Sequence, residues 1–334
     1  MIFFLDILIT GNVSTFASSL TKYLLTEDHS VVVTGATQDF LSFKAKKFAA
    51  FKSNPSDSQY EEIFKSHSYD AVIFIAAQED YLLDSARPNL GHTNFGLETN
   101  LEFSRQNKIG QFIYISSFEV YGNAASTLET ITPVPSTEIG QLLLNGENLC
   151  RFYVEKHSLT VSILHIPFIY GPNENNSFFY QLVQKASSQK MIKVSTNAQA
   201  HCSFLHIDDL ANFLKKLFQQ ENPPKLQIFN LFQNGINFSF LAQQLNFYFP
   251  KVKIEFIDKR EHPSNLKAEG KIAFEKLNWV PKKDLIKAFP ELIEEFSKNS
   301  IRKRPLIEKL KQLTVSYKPY FVWGEVIIGA FVMH

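Results

Sequence analysis

Residues 2–20 have the sequence IFFLDILITGNVSTFASSL. The apolar run from Ile2 to Thr10 has the length of a buried β-strand, it ends at Gly11, and the residues beyond it have helical spacing. The run lacks the basic flank and the small-residue cleavage site of a secretory signal, so it indicates a strand. A strand, a tight turn and a helix in this order predict the first part of a βαβ unit.

The same alternation of strand-length apolar runs and helix-patterned stretches continues through the first half of the chain. The further runs are Val31–Thr34, Ala71–Ala76, Phe112–Ser116 and Val161–Ile166. They are apolar almost throughout, as parallel strands are when helices cover both faces of a sheet. The sequence therefore predicts an α/β fold built on a doubly wound parallel sheet.

The periodicity loosens after the turn at residues 170–173, and this predicts a change of domain. We expect a dinucleotide-binding-like domain over residues 1–168 and a smaller C-terminal α/β domain of the substrate-binding type over residues 169–300, which can be interleaved with the first. Residues 301–334 form a tail. Within the second domain, the patterns predict helices at residues 208–218, 238–247 and 284–296, the last kinked at Pro290, and short strands at 227–231 and 253–257.

Composition excludes several classes of function. The 334 residues are 45% hydrophobic and 20% charged with a formal net charge of +1, which describes an ordered globular chain with no overall attraction to nucleic acid. Its two cysteines, Cys150 and Cys202, cannot form a disulfide framework, and no Cys/His group has metal-ligand spacing. We therefore expect no metal and a reducing, cytoplasmic location.

The tail is basic first and apolar afterwards. Between residues 302 and 318 there are six basic residues and one acidic residue, Glu308. The segment from Tyr320 to Met333 is apolar except for Glu325. This order is typical of a segment that approaches a membrane, although fourteen helical residues reach only about 21 Å of the roughly 30 Å hydrocarbon core. Two interpretations stay open: the tail docks on the folded domain, or the chain is part of a longer membrane protein whose folded domain stays at the cytoplasmic face.

The turn after the first strand has the position of a dinucleotide-binding turn but not its composition. Three glycines are typical there, for the sharp turn, for close approach of the pyrophosphate and for helix packing. Here Gly11 is present, whereas Ser14 and Ala17 stand at the other two positions. A Cβ at the point of closest approach weakens phosphate binding, so the turn by itself is weak evidence for a dinucleotide.

Six segments in a fixed order resemble the extended short-chain dehydrogenase/reductase family, in its NAD-dependent epimerase/dehydratase branch. They are Thr10-Gly11, Val72–Gln78, Asn94–Leu101, Tyr114–Gly122, Pro167–Pro172 and Phe204–Asp209, and the likeness covers about residues 2–298. The resemblance implies a Rossmann-like fold, NAD or NADP as cofactor, a nucleotide sugar as ligand and a homodimer. It also implies the following cofactor-binding positions: Gly11, Asn12, Val13, Ser14, Ala76, Ala77, Gln78 and Pro167.

The resemblance further implies a catalytic trio of a strand serine and a Tyr-x-x-x-Lys pair on a helix. Residues at i and i+4 share a helix face, so the ammonium lowers the pKa of the phenol and makes it a usable base. Ser117 occupies the serine position, but Ile139 and Leu143 stand where the tyrosine and lysine belong, and neither residue type occurs from Gly122 through Phe152. Ser117 is then vestigial, and its other interpretation is a strand-end serine that satisfies local backbone groups.

Three binding positions of the family also differ. Gly35 replaces the acidic residue that holds the adenosine ribose, Ser53 replaces an aspartate near the adenine, and Cys202 replaces an arginine that neutralises a substrate diphosphate. Several catalytic and binding residues are replaced together, whereas the residues that support the fold remain. This combination indicates a protein that keeps the fold of the family but has lost its catalytic activity.

Other polar residues have two interpretations each. The segment from His206 through Asp209 suggests a metal site or relay, or the start of a helix, for which its carboxylates are suited. His165 replaces an arginine and either contacts a ligand or is packed in the core. The basic run at residues 44–47 either contacts a phosphate or is a solvated face.

We expect a catalytically impaired relative of nucleotide-sugar epimerases, acting as a binding or scaffolding module in bacterial polysaccharide biosynthesis. Two alternatives stay open. One is an active NAD(P)-dependent epimerase or dehydratase with relocated acid/base groups, and the other is an NAD(P)-binding sensor without turnover.

Overall fold

A computed structural model describes residues 4–13, 16–36, 40, 43–58, 60–76, 83, 91, 93–124, 126–172, 177–233, 235–257 and 268–298. The chain divides into two units, residues 1–288 and residues 289–334. In the second unit, the described residues 289–298, which include Pro290, are helical.

The first unit alternates strands and helices. Its strands are β1 Asp6–Gly11, β2 Ser30–Thr34, β3 Phe48–Phe51, β4 Ala71–Ile75, β5 Gln111–Ser117, β6 Val161–Ile166, β7 Phe168–Tyr170, β8 Met191–Val194, β9 His201–Cys202, β10 Phe204–His206, β11 Leu226–Asn230, β12 Ile236–Asn237 and β13 Lys253–Phe256. Its helices are α1 Ala17–Thr26, α2 Tyr60–Ser66, α3 Leu97–Gln106, α4 Glu138–His157, α5 Phe178–Ser188, α6 Ile207–Phe218, α7 Phe238–Tyr248 and α8 Ile272–Leu277. A 3₁₀ turn spans Phe118–Tyr121.

Seven strands form one parallel sheet in the order β11-β6-β5-β4-β1-β2-β3. The predicted α/β class with a doubly wound parallel sheet is confirmed. Two strands differ from the sequence prediction. β3 was not predicted, and β11, which the pattern placed in the second region, is the edge strand beside β6.

Helices cover both faces of this sheet because alternate strand residues point to opposite sides. On β4, Ile73 and Ile75 belong to one buried cluster with α1 and α6, whereas Val72 and Phe74 belong to a second cluster with α2, α3 and α4. Burying one such side chain contributes about 1.5–3 kcal/mol, which explains why the strands are apolar throughout.

Three two-stranded sheets make up the smaller α/β part of the unit. β10 pairs with β7 and β13 with β8 in parallel, and β12 pairs with β9 in antiparallel orientation. Side chains cap the helices there: Ser177 accepts from the N–H of Tyr180 at the start of α5, and Asn237 accepts from the N–H of Phe240 at the start of α7. Within the described ranges, no helix has both the length and the apolar character needed to cross a membrane.

The strand order reverses direction between β1 and β4. In open parallel sheets, ligands bind at such a switch point, beyond the carboxyl ends of the strands. The ends of β1, β2, β4, β5 and β6 all lie at this edge of the sheet, which therefore contains the candidate site.

Candidate functional site

The turn that follows β1 is fixed against the end of β4. Gly11 has φ of +88°, and a Cβ at this residue would overlap the carbonyl oxygen of Ile75. The N–H of Asn12 donates to that same oxygen at 2.7 Å, and the N–H of Val13 donates to the carbonyl oxygen of Gly11 at 2.9 Å. Only glycine fits this conformation without strain, so the first turn glycine is structurally required. Ser14 lies outside the described residues.

Helix α1 begins directly after this turn. Ala17, at the position of the third glycine, is fully buried, so its small side chain still permits close packing of the helix on the sheet. Phe16 precedes the helix without capping it through a side-chain hydrogen bond, and the first turn of α1 carries no acidic residue. The backbone N–H groups at this end therefore carry the partial positive charge of the helix.

The carboxyl end of β2, at Gly35, forms the second part of the edge of the sheet that contains the candidate site. Gly35 has φ of +68°, and its N–H donates to the carbonyl oxygen of Ser53 at 3.1 Å. A Cβ at Gly35 would meet only ordinary contacts, the nearest being Asn54 Oδ1 at 3.8 Å and Val13 Cγ2 at 3.9 Å. Space for a larger residue thus exists where the family resemblance placed an acid.

A buried polar group lies beneath these two turns. The hydroxyls of Thr10 and Thr34 and the phenol of Tyr60 are mutually within 2.8–3.2 Å, and the Tyr60 phenol also donates to Asn100 Oδ1 at 2.9 Å. Burial raises the pKa of Tyr60, so the phenol stays neutral. The sequence analysis did not predict this group. The feature of the sequence that indicated it was a threonine at the end of each of two apolar strands.

The ends of β4 and β6 contribute two further residues from the predicted set. Ala76 is fully buried, and its N–H donates to the carbonyl oxygen of Ile115 at 3.0 Å. Pro167 is half-buried between β6 and β7. Ala77 and Gln78 lie outside the described residues.

Helix α4 carries the two positions at which the catalytic pair was expected. Ile139 and Leu143 are 4% and 0% exposed, and both belong to the apolar cluster that α4 shares with β5 and the 3₁₀ turn. The register is fixed at the helix start, since a Cβ at Gly140 would overlap the carbonyl oxygen of Glu119. Thr137 caps the helix by accepting from the N–H of Gly140 at 3.0 Å. The two side chains therefore lie one turn apart on a packed face.

Ser117, the remaining member of the trio, is half-buried at the end of β5. Its Oγ accepts from the N–H of Glu119 at 3.3 Å and so caps the 3₁₀ turn. The Glu119 carboxylate in turn accepts from the Thr137 hydroxyl at 2.9 Å. The serine has a local structural partner, in keeping with its second interpretation.

Polar side chains on and beside α4 form one buried cluster, which we call the Glu147 cluster: Ser116, Tyr121, Glu147, His165 and Asn230. Glu147 is fully buried, and its Oε1 accepts from the Ser116 hydroxyl at 2.7 Å and lies 2.9 Å from His165 Nε2. His165 Nδ1 faces Asn230 Oδ1 at 2.7 Å and the Tyr121 phenol at 3.1 Å. Burial raises the pKa of Tyr121 above its ordinary range.

Asn230 connects this cluster to two further segments of the chain. Its amide nitrogen donates to the carbonyl oxygens of Thr127 and Glu269, so its oxygen is the atom that faces His165. The second oxygen of Glu147 has no hydrogen-bond partner among the described residues, and Arg151 Nη2 lies 3.9 Å from it. The cluster joins α4, β5, β6 and β11 through buried polar contacts.

The profile of the NAD dependent epimerase/dehydratase family matches residues 7–231 of this chain. The chain belongs to this family. The match covers the sheet, the turn at Gly11 and the whole of α4.

Individual relatives are similar at low identity. YtcB of Bacillus subtilis (strain 168), an uncharacterized UDP-glucose epimerase, is 25% identical over 222 residues, which are 61% of this chain and 70% of the relative. The low-salt glycan biosynthesis protein Agl12 of Haloferax volcanii is 22% identical over 220 residues, which are 61% of this chain and 70% of Agl12. The structure of the UDP-glucuronic acid 4-epimerase of Bacillus cereus, solved with UDP-glucuronic acid and NAD, has a TM-score of 0.77 at 19% identity and covers 88% of this chain and 99% of that one. The structural likeness at this identity establishes the fold.

The cofactor of this epimerase/dehydratase family is NAD, and the described residues fit it in part. The turn at Gly11, which a Cβ would obstruct, and the start of α1, where Phe16 provides no side-chain cap, suit a pyrophosphate. At the ribose end, Gly35 offers no carboxylate to the hydroxyls.

Cys202 and Lys47 have partners within the protein. Cys202 is 2% exposed, and its thiol donates to the carbonyl oxygen of Ile236 at 3.2 Å. Lys47 precedes β3, at the end of the strands opposite the turn at Gly11, and pairs with Asp28 at 2.7 Å.

The segment at residues 206–209 has a structural role. His206 caps α6 by accepting from the N–H of Asp208 at 3.1 Å, and the Asp209 carboxylate accepts from the N–H groups of Lys282 and Lys283 at 3.0 and 2.9 Å. In the part of the chain that the structure describes, no three potential metal ligands lie together. The helix-start interpretation of this segment accounts for these bonds.

Acidification is expected to destabilise the protein through His206. Burial is the main cause that holds the pKa of His206 below its ordinary value, although the Asp208 carboxylate opposes it. The unfolded state therefore takes up the proton first, and the free energy of unfolding falls as the pH decreases below about 6.5. Asparagine also caps helices, so His206→Asn should show a smaller loss of stability between pH 7.5 and 5.5 in urea unfolding. His67→Asn, at an exposed position, is the control; an unchanged pH dependence in His206→Asn would contradict the assignment.

Proposed function

We propose that this member of the epimerase/dehydratase family has lost hydride-transfer catalysis and serves as a binding or scaffolding module. The observation that carries the proposal is the packing of Ile139 and Leu143, 4% and 0% exposed, at the family's tyrosine and lysine positions. A hydrocarbon side chain can neither take up nor release a proton. Loss of a positioned acid or base reduces a rate by about 10²- to 10⁴-fold.

The neighbouring groups support the same proposal. Ser117 accepts a hydrogen bond from the backbone N–H of Glu119, and the phenol of Tyr121 is 1% exposed and bonded within the Glu147 cluster. A general base must reach the proton that it removes. Each of these groups already has a hydrogen-bond partner within the protein, which argues against a relocated acid/base pair.

The ligand and setting are also proposals. We assign nucleotide-sugar or dinucleotide binding to the edge formed by the turn at Gly11 through Val13, Ala76 and Pro167, and a role in polysaccharide biosynthesis in the cytoplasm. The glycan biosynthesis protein Agl12 among the relatives supports the setting. The homodimer and a membrane contact of the tail belong to the same proposal.

The test is incubation of the purified chain with NAD and with UDP-glucose, UDP-glucuronic acid or dTDP-glucose, followed by chromatography of the sugar nucleotides. The proposal predicts no epimerised, dehydrated or oxidised product. Product formation would overturn it, and a Tyr121→Phe variant then reports whether the Glu147 cluster supplies the acid or base. Binding of a dinucleotide without product selects the sensor alternative, which the retained turn at Gly11 favours.

A further inference from the structure

The carboxyl ends of β2 and β3 place a lysine beside the glycine that replaces the ribose-binding acid. Thr34 pairs with Phe51 at the last position of the two strands. Beyond this pair, the N–H of Gly35 donates to the carbonyl oxygen of Ser53 at 3.1 Å and the N–H of Ala36 donates to that of Phe51 at 3.0 Å. These two bonds bracket Lys52, which therefore lies across from Gly35 and is exposed.

Lys52 is the first residue beyond the carboxyl end of β3, which ends at Phe51. The strands β1, β2 and β3 are parallel, so this end of β3 lies at the same edge of the sheet as Gly35 and the turn at Gly11. Lys52 and Gly35 therefore follow neighbouring strands at the edge that carries the proposed dinucleotide site.

An acid at the end of β2 selects a free ribose because it accepts a hydrogen bond from the 2′-hydroxyl, and a cation nearby accommodates a 2′-phosphate. In this chain the acid is absent at Gly35 and the cation is present at Lys52. Among the described residues beyond β3, the Asp57 carboxylate accepts from the N–H of Asn54 at 2.7 Å, and Lys47 lies at the other end of β3. The Asp57 carboxylate makes the electrostatic potential here less favourable for a phosphate. One of its oxygens accepts a hydrogen bond from the backbone N–H of Asn54.

We propose that the dinucleotide accepted at this edge is the 2′-phosphorylated form, NADP(H), and that Lys52 selects it. The inference rests on the proposed binding function and names its ligand. It makes Gly35 and Lys52 a pair: the first removes the repulsion that a carboxylate would exert on the phosphate, and the second attracts it.

The test is a fluorescence titration of the purified full chain with NADPH and with NADH at low and high salt. We expect NADPH to bind at least about tenfold more tightly at low salt and the ratio to shrink at high salt, because an exposed ion pair is screened. Lys52→Ala should weaken NADPH binding by about five- to tenfold and change NADH binding less than about twofold. Lys47→Ala, which removes a lysine from the other end of β3, is the matched control and should change neither.

A second variant tests the glycine. Gly35→Asp places the acid in a conformation that aspartate tolerates better than most residues, with no close contact to its Cβ. It should reverse the preference toward NADH, and a thermal melt establishes that the variant folds. Equal binding of the two dinucleotides, no binding of either, or an unchanged ratio in Lys52→Ala would each overturn the inference. Sugar-nucleotide turnover would overturn the loss of catalysis and leave the dinucleotide preference standing.

Discussion

Leu143→Lys is expected to destabilise the protein by at least about 3 kcal/mol, because it buries an ammonium group without a partner in an apolar cluster. Leu143 is fully buried and packs in the cluster shared by α4 and β5. The measurement is urea unfolding of the variant beside the parent chain.

Asn148→Lys is the matched control, since it introduces the same side chain at an exposed position of the same helix. It should change the free energy of unfolding by less than about 0.5 kcal/mol. If Leu143→Lys were as stable as the control, position 143 would be open to solvent or to a cleft. The packing that carries the proposed loss of catalysis would then be refuted.

His165→Leu is expected to cost about 1–3 kcal/mol, because it leaves a buried oxygen of Glu147 without its imidazole partner. Glu147 is fully buried, and His165 supplies one of its two close contacts, at 2.9 Å, beside the Ser116 hydroxyl at 2.7 Å. Urea unfolding measures the loss. A cost below about 0.5 kcal/mol would mean that water or another group takes the place of the imidazole.

A double variant tests whether the cost arises from the contact between His165 and Glu147. Glu147→Met with His165→Leu removes both partners, and replacing both partners of a buried hydrogen bond by apolar groups is often nearly neutral. We expect the double variant to be more stable than His165→Leu alone. Simple additivity of the two single losses would show that the two side chains do not act as a pair.

The central strands could be predicted from sequence because apolar content alone identifies strands that helices cover on both faces. β3 could not, because FAAF is short, half-buried and at the edge, so its pattern carries little signal. β11 was recognised as a strand, but its place beside β6 depends on a pairing between residues far apart in sequence.

The candidate site shows the same division between local and long-range information. The turn at Gly11 and the helix positions of Ile139 and Leu143 could be placed by spacing from neighbouring motifs. The polar group around Tyr60 and the hydrogen bonds of Asn230 could not be predicted in this way. Their partners come from distant segments, 24 to 50 residues away for Tyr60 and Thr34, and 39 to 109 residues away for the Asn230 side chain.

The position of β11 has a consequence for biosynthesis. Until the ribosome has made Leu226, the backbone of β6 has no neighbour on its outer side, and its sequence VSILHI is strongly apolar. An open apolar edge of this kind pairs readily with other chains. The nascent protein therefore exposes an unpaired strand edge until β11 has been made. We expect a chaperone that shields this edge to raise the yield of folded protein.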